Sequence, residues 1–540
     1  MLNAKKNYIM KHYLTLAIAV LALTTQVWAQ GVSKTWVADQ GDGTYKNPVL
    51  YADYSDPDVI RVGDDYWMTS SSFDCVPALQ ILHSTDLVNW EFAGAVRSYV
   101  PQGVQQRHGG GVWAPSIRYH DGLYYIYWGD PDVGIYMTTA TDPRGEWSTP
   151  HLVWEGKGII DTCPLWDDDG RAYLVHAWAG SRAGFKSILS ATEMTPDGRR
   201  LIGDEVLIFD GHAEHPTVEG PKFYKRDGWY YVFAPAGGVK EGWQIVLRSR
   251  EPLGKYECRK VLHQGDTDIH GPHQGGWVTD TAGQSWFLHF EDRYAYGRVV
   301  HLQPMEWTAD GWCTMGVDTN KDGIGEPVKS YRKPHSNVPT KICTPTEGDE
   351  FNTTTLGLQW QWFGSHGQRD WAMLSPDGFL RLYCRPYDNL YEAQNLLCQK
   401  ITAPKQTITA KVRFVAGVDG DRAGVIVHGR DYATLSLVRT DGKMRLVQTI
   451  CEGADKGMGE RIVEEKPFSH EGWMYLRVEI AEGCKCRFFY SINGKRWEPL
   501  WEEFTAKWGV WIGAKWGLFA VTKGKTNDGG RMDIDWVRVE

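Results

Sequence analysis

Asp56 in "SDPD", Asp161 in "IDTCP" and Glu219 in "VEGP" each stand one to three residues ahead of a proline within a short apolar run. A carboxylate in front of a buried strand is costly unless something uses or compensates it. One aspartate before a proline is usually a turn former. Three carboxylates at one phase of a recurring unit are a set able to do acid–base chemistry. A protonated carboxyl donates, an ionised one accepts, and a third anion raises the pKa of its neighbour. Trp113 in "VWAP" and the His270/His273 pair around "GPHQ" fall at the same phase.

The recurring unit is an apolar strand, a turn containing Asp or Gly, and an aromatic strand. It reads "YSDPDVIRVGDDYWMTSSS", "VWAPSIRYHDGLYYIYWGD", "IIDTCPLWDDDGRAYLVHAW", "VEGPKFYKRDGWYYVFAPA" and, more loosely, "IHGPHQGGWVTDTAGQSWFLHFED". Its prolines, at 57, 115, 164, 221 and 272, recur at about 50 residues, a spacing expected of propeller blades. Stretches such as "QILHSTDLVNW" and "QIVLRSREPLGKYE" supply the third and fourth strands of their units. The pattern predicts an all-β chain with a five-bladed β-propeller over 40–325. The first strand of each blade lines the central channel, so the residues at this shared phase converge on one mouth. Residues 326–344 are polar and Pro-bearing and read as a linker. From 345 to 540 longer alternating strands with Gly-rich turns predict a β-sandwich.

The chain has 540 residues, enough for two or more domains, and its 26 Trp and 26 Tyr suit many short strands. A formal charge of −9 spread along the chain marks neither a nucleic-acid patch nor a polybasic membrane anchor. Lys5, Lys6 and Lys11 precede the run "YLTLAIAVLALTTQVW", and Ala29 offers a small-residue exit, the pattern of a secretory signal peptide over 1–29. The run is short for a membrane span, so an exported protein, periplasmic or extracellular and without membrane insertion, is expected. Ten scattered cysteines lack metal-finger spacing and lead us to expect mostly buried thiols with one or two disulfides.

Across the propeller the motifs "YSDPDVIRVGDDYWMTSSSF", "GGVWAPSI", "IDTCPLWDDDGRAYL" and "EGPKFYKRDGWYY" resemble family 43 glycoside hydrolases, and the sandwich from "DEFNTTTLGLQWQWFG" is similar to the concanavalin-like C-terminal domain of that family's two-domain exo-acting members. The resemblance implies that Asp56 is the general base, Glu219 the general acid, and Asp161 the carboxylate that tunes and orients the acid. It implies sugar contacts from Arg298 in "YGRVVHLQPMEW" and from the aromatic walls Phe73 and Trp113. His273 best matches a channel histidine near a structural calcium ion or water, with His270 as its rival, and no cofactor is required. Asp161 is followed by Thr-Cys-Pro where the family commonly has Pro-Ser. The implied activity is inverting release of terminal α-L-arabinofuranosyl or β-D-xylosyl units from plant cell-wall oligo- or polysaccharides, arabinofuranose slightly favoured. An inverting glycosidase needs a protonated carboxyl and an ionised one across the sugar, and side chains on opposite blades can supply them.

Two rival readings are a sugar-binding propeller without catalysis and a retaining fructan- or sucrose-acting propeller. The intact trio speaks against the first. The absence of Asn-Asp-Pro-Asn-Gly and Arg-Asp-Pro stretches speaks against the second. "DTNKDGIGE" begins like a calcium loop, with Asp318, Asn320 and Asp322 in place, but Lys329 stands where an EF-hand needs Glu, so a surface turn is expected. "WDDDG" reads as a hairpin turn. "KWGVWIGAKWGLFAV" reads as interior strands of the sandwich in preference to a sugar-stacking patch.

Overall fold

The computed structural model describes residues 31–96, 107–363, 371–393, 395–525 and 527–540. The export segment expected at 1–29 lies outside the described residues.

Five antiparallel sheets of four strands form the propeller. Their inner strands are Asp58–Val62, Trp113–His120, Ile159–Trp166, Lys222–Arg226 and His273–Thr279. Each blade runs outward in chain order, so local hairpins build it. In the fourth blade Lys222–Arg226 returns as Trp229–Ala236 through Asp227 and Gly228, whose φ values are +52° and +70°. Both positive values are what a two-residue type I′ hairpin requires, and Asp-Gly is the pair that adopts them at low cost. Asp121–Gly122 turns the second blade in the same way, at +47° and +80°. "WDDDG" also turns a hairpin, between Ile159–Trp166 and Ala172–Trp178.

The inner strand of the fifth blade packs against that of the first and closes the ring. Thr44–Lys46 pairs antiparallel with Ser330–Arg332, so the stretch read as a linker carries a strand that ties the two ends of the propeller together. The stretch that begins like a calcium loop is an exposed turn, as expected, in which Asp318 and Asp322 accept backbone N–H groups of their own loop.

Beyond it two large sheets pack as a sandwich. Met474–Ala481 shows the sequence logic: Met474, Leu476, Val478 and Ile480 are buried while the residues between them are not. That period of two puts one face on the core. The two domains share a sheet. Cys75–Val76, from the first blade, pairs with Trp362 and Phe363 and becomes an edge strand of the sandwich. Around it Phe73, Cys75, Phe363, Leu396, Ile512 and Phe519 form one apolar cluster spanning both domains. All ten cysteines are free thiols, which corrects the expected one or two disulfides. They are dispersed over both domains as small buried or half-buried apolar side chains.

Candidate active site

A backbone kink recurs in, or two residues ahead of, the inner strands and aims the site residues. Asp56, Ala114, Asp161, Gly220 and Gln274, one per blade, all have positive φ, between +37° and +59°. Strand register slips beside it in the second, third and fifth blades. For a residue other than glycine such a conformation costs roughly 1–3 kcal/mol and persists only where the surroundings enforce it. Asp56 and Asp161 occupy the kink itself, whereas Glu219, Trp113 and His273 immediately precede it. The shared phase read from the prolines is therefore correct to within one residue.

Asp56 is almost fully buried and accepts two side-chain hydrogen bonds. Arg298 Nη1 approaches Asp56 Oδ1 at 2.9 Å, and Ser71 Oγ donates to Oδ2 at 2.6 Å. Ser71 Oγ in turn accepts Ala114 N–H at 2.7 Å, which fixes its orientation. Burial works against the Arg298 charge, but Asp56, Asp292 and Asp53 outweigh it and hold the guanidinium firmly protonated. Phe290 lies under that guanidinium, 4.8 Å from its centre.

Asp161 is buried, and its Oδ2 accepts Gly220 N–H at 2.8 Å. The third carboxylate is thus tied to the residue that follows Glu219. Burial and then the Asp56 charge push the Asp161 carboxyl upward, against the pull of Gly220 N–H, Lys222 and Arg298. Glu219 has a partly exposed side chain, 29% accessible, and reaches the mouth. Burial of its carboxyl, then Asp161, then Asp56 push Glu219 well above the usual carboxylate range. That is the direction a proton donor near neutral pH requires.

His273 Nε2 lies 3.5 Å from Glu219 Oε1. Burial depresses this imidazole to about 3, so it is neutral, and both ring nitrogens are buried without a protein partner. His270 is held away by Lys240 O at 3.1 Å and by Glu291, which leaves His273 as the channel histidine. Calcium takes six to eight oxygen ligands. Among the described residues no cluster of three His, Cys, Asp or Glu side chains is placed to hold a metal. One imidazole does not fit a directly ligated calcium ion.

Deeper in the channel Arg118 pairs with fully buried Asp58 at 2.7 Å, and buried Lys222 donates to Pro115 O and Ser116 Oγ at 3.0 and 2.8 Å. These groups lie further along the inner strands than the carboxylates and link neighbouring blades there.

Trp113 and Phe73 meet edge to face at 6.0 Å. Phe73 is only 2% exposed, so Trp113 is the more accessible of the two walls. The sandwich adds a third. Lys515–Thr522 is an interior strand, as "KWGLFAV" suggested. The residues before it instead form a loop over the propeller mouth, which corrects the reading of the whole stretch as interior. In that loop Trp511 is 48% exposed, has φ +68°, and stands 5.8 Å from Trp113. Asp53 pins the loop: its Oδ2 accepts Gly513 N–H at 3.0 Å while its Oδ1 accepts Arg298 N–H at 2.9 Å. Sequence reading missed Ser71, Asp53, Lys222 and Trp511. Lys222 was visible beside "EGP", but nothing in the sequence said that Trp511 crosses to the other domain.

The comparisons agree with this architecture. Residues 45–313 match the model described as "Glycosyl hydrolases family 43", and residues 348–540 match "Beta xylosidase C-terminal Concanavalin A-like domain". A protein of Xylanibacter ruminicola named "Putative beta-xylosidase" is 39% identical over 90% of this chain and 88% of its own length. A "Non-reducing end alpha-L-arabinofuranosidase" of Bacteroides ovatus is 28% identical over 76% of this chain and 80% of its own. The crystal structure of the GH43 protein BlXynB from Bacillus licheniformis, 26% identical, superposes with a TM-score of 0.79 and covers 92% of this chain and 99% of that one. Five blades converging three carboxylates at one mouth, a sandwich sharing a sheet with the first blade, and matches to both domain models together place this chain in glycosyl hydrolase family 43.

Proposed function

We propose that this glycoside hydrolase is an exported, inverting exo-enzyme that removes terminal pentose units, β-D-xylosyl first and α-L-arabinofuranosyl second, from plant cell-wall oligo- or polysaccharides. The observation that carries the reading is the contrast between two carboxylates at one mouth. Asp56 is engaged as an acceptor by Arg298 and Ser71, while Glu219 has its pKa pushed up by burial and by Asp161. One is prepared to take a proton from water and the other to give one to a leaving oxygen. Xylose ranks first because relatives of 39% and 31% identity carry the name β-xylosidase. Arabinofuranose stays because a relative of 28% identity is named for it. Exo action is supported by the wall that the sandwich loop raises at Trp511, beside Trp113. Export is supported by the Lys-then-apolar start.

In the proposed mechanism the terminal sugar enters between Trp113 and Trp511. Arg298 positions Asp56 and takes a sugar hydroxyl. Asp56 removes a proton from water as that water attacks the anomeric carbon, and Glu219 protonates the departing oxygen on the opposite face. Acid, base and charge stabiliser are all side chains, so the reading needs no cofactor.

The test combines hydrolysis of nitrophenyl β-D-xyloside, nitrophenyl α-L-arabinofuranoside and xylo-oligosaccharides with proton NMR of the first-formed sugar. Release of single pentoses with inverted configuration is expected. Retained configuration, or mixed oligomers as first products from xylan, would sink the mechanism or the exo reading respectively.

A further inference from the structure

We infer that the connection between the second and third strands of the third blade, residues 179–187, is the surface that holds the leaving part of the substrate, with Phe185 as its platform. This rests on the reading above and adds the residue that recognises the sugar beyond the bond being cut.

Blade topology brings the segment there. Inner strands begin at the mouth, so their antiparallel neighbours end at it, and every connection from second to third strand flanks it. In the third blade that connection runs from Trp178 to Ile188. It contains Phe185, whose ring is 44% exposed and braced against Trp178 at 4.8 Å.

The segment is fastened to the stretch that carries the acid. Lys186 Nζ donates to Thr217 Oγ1 at 3.1 Å, and Ser187 Oγ accepts Thr217 N–H at 2.8 Å, two residues before Glu219. The Lys186 charge is close enough to pull the Glu219 pKa downward, opposing Asp161.

Direction of departure then selects the occupant. In an inverting displacement water enters on the face of the base and the leaving oxygen exits on the face of the acid. The base is held from the first and fifth blades by Ser71 and Arg298. The sugar joined to the leaving oxygen must therefore lie on the Glu219 side, where Phe185 offers an open aromatic face and Lys186 and Thr217 offer polar groups. An aromatic ring suits the apolar face of a pentose, and the occupant is the next pentose of an unbranched oligosaccharide.

The experiment compares kcat/KM on xylobiose, which has a leaving sugar, with kcat/KM on β-D-xylosyl fluoride, which has none, using the full chain. In Phe185→Ala the ratio of the two should fall about fivefold or more, mainly through KM for xylobiose, and Phe185→Tyr should restore it. Tyr119→Ala removes an aromatic that is 47% exposed at the far end of the second blade, and should leave the ratio unchanged. A ratio unchanged in Phe185→Ala, or an equal loss on both substrates, overturns the inference and leaves the proposed function standing. A wild-type enzyme inactive on both xylosyl and arabinofuranosyl substrates overturns both.

Discussion

At the scale of single residues, the proposed mechanism makes Glu219 and Asp56 differ in what their loss removes. Glu219→Ala takes away only leaving-group protonation. Turnover of xylo-oligosaccharides should fall by about 10²–10⁴-fold, whereas a substrate with a good leaving group should be largely spared. Asp56→Ala takes away water activation, and both kinds of substrate should suffer alike. Steady-state rates on xylobiose and on a dinitrophenyl xyloside separate the two, and equal losses in Glu219→Ala would show that the acid has been misassigned. In the same mechanism Asp161 acts through Glu219. The acid must be protonated to work, so the rate falls as pH rises through the Glu219 pKa. Asp161→Asn removes one of the charges that hold this pKa up, and the basic limb of the kcat/KM profile should move to lower pH. A limb that stays in place, or moves upward, would exclude this role.

At the scale of elements, the kinked inner strands and the Asp53 contacts set the geometry. Asp53 accepts two backbone N–H groups, one from Arg298 and one from Gly513 of the sandwich loop. Asp53→Ala leaves both donors buried without a partner, at about 1–3 kcal/mol each. The thermal midpoint should fall by several degrees, and KM should rise because the loop bearing Trp511 loses its anchor. A thermal scan together with a KM measurement tests both halves. An unchanged KM would mean that the loop is held by packing alone. The packing itself is close: a Cβ at Gly513 would meet the Gly297 backbone at 2.7 Å.

At the scale of the whole molecule, the two domains are one folding unit at their seam. Cys75–Val76 has its strand partner in the sandwich, and the cluster of Phe73, Cys75, Phe363, Ile512 and Phe519 would be cut open by separating them. A chain ending at residue 344 should therefore be poorly soluble and inactive. Size-exclusion chromatography and activity of the truncated protein check this. A monodisperse, active propeller would show that the shared strand is dispensable.

The sequence by itself determined the blades, the period and the three carboxylates. These rest on local rules: Asp-Gly hairpins at Asp121–Gly122 and Asp227–Gly228, alternation of apolar and polar positions, and prolines that mark each inner strand. The resemblance on those motifs implied the roles now proposed for Asp56, Asp161, Glu219 and Arg298, and the geometry brings all four to one mouth. Only the tertiary structure decided between His270 and His273, because the difference lies in whether Glu291 and Lys240 O or Glu219 is the neighbour. It alone revealed Asp53, Ser71 and Trp511, whose partners lie 245, 43 and several hundred residues away in the chain. The strand Cys75–Val76 was illegible for the same reason. Two residues carry no period, and they become a strand only because a sheet edge from the other domain is there to receive them.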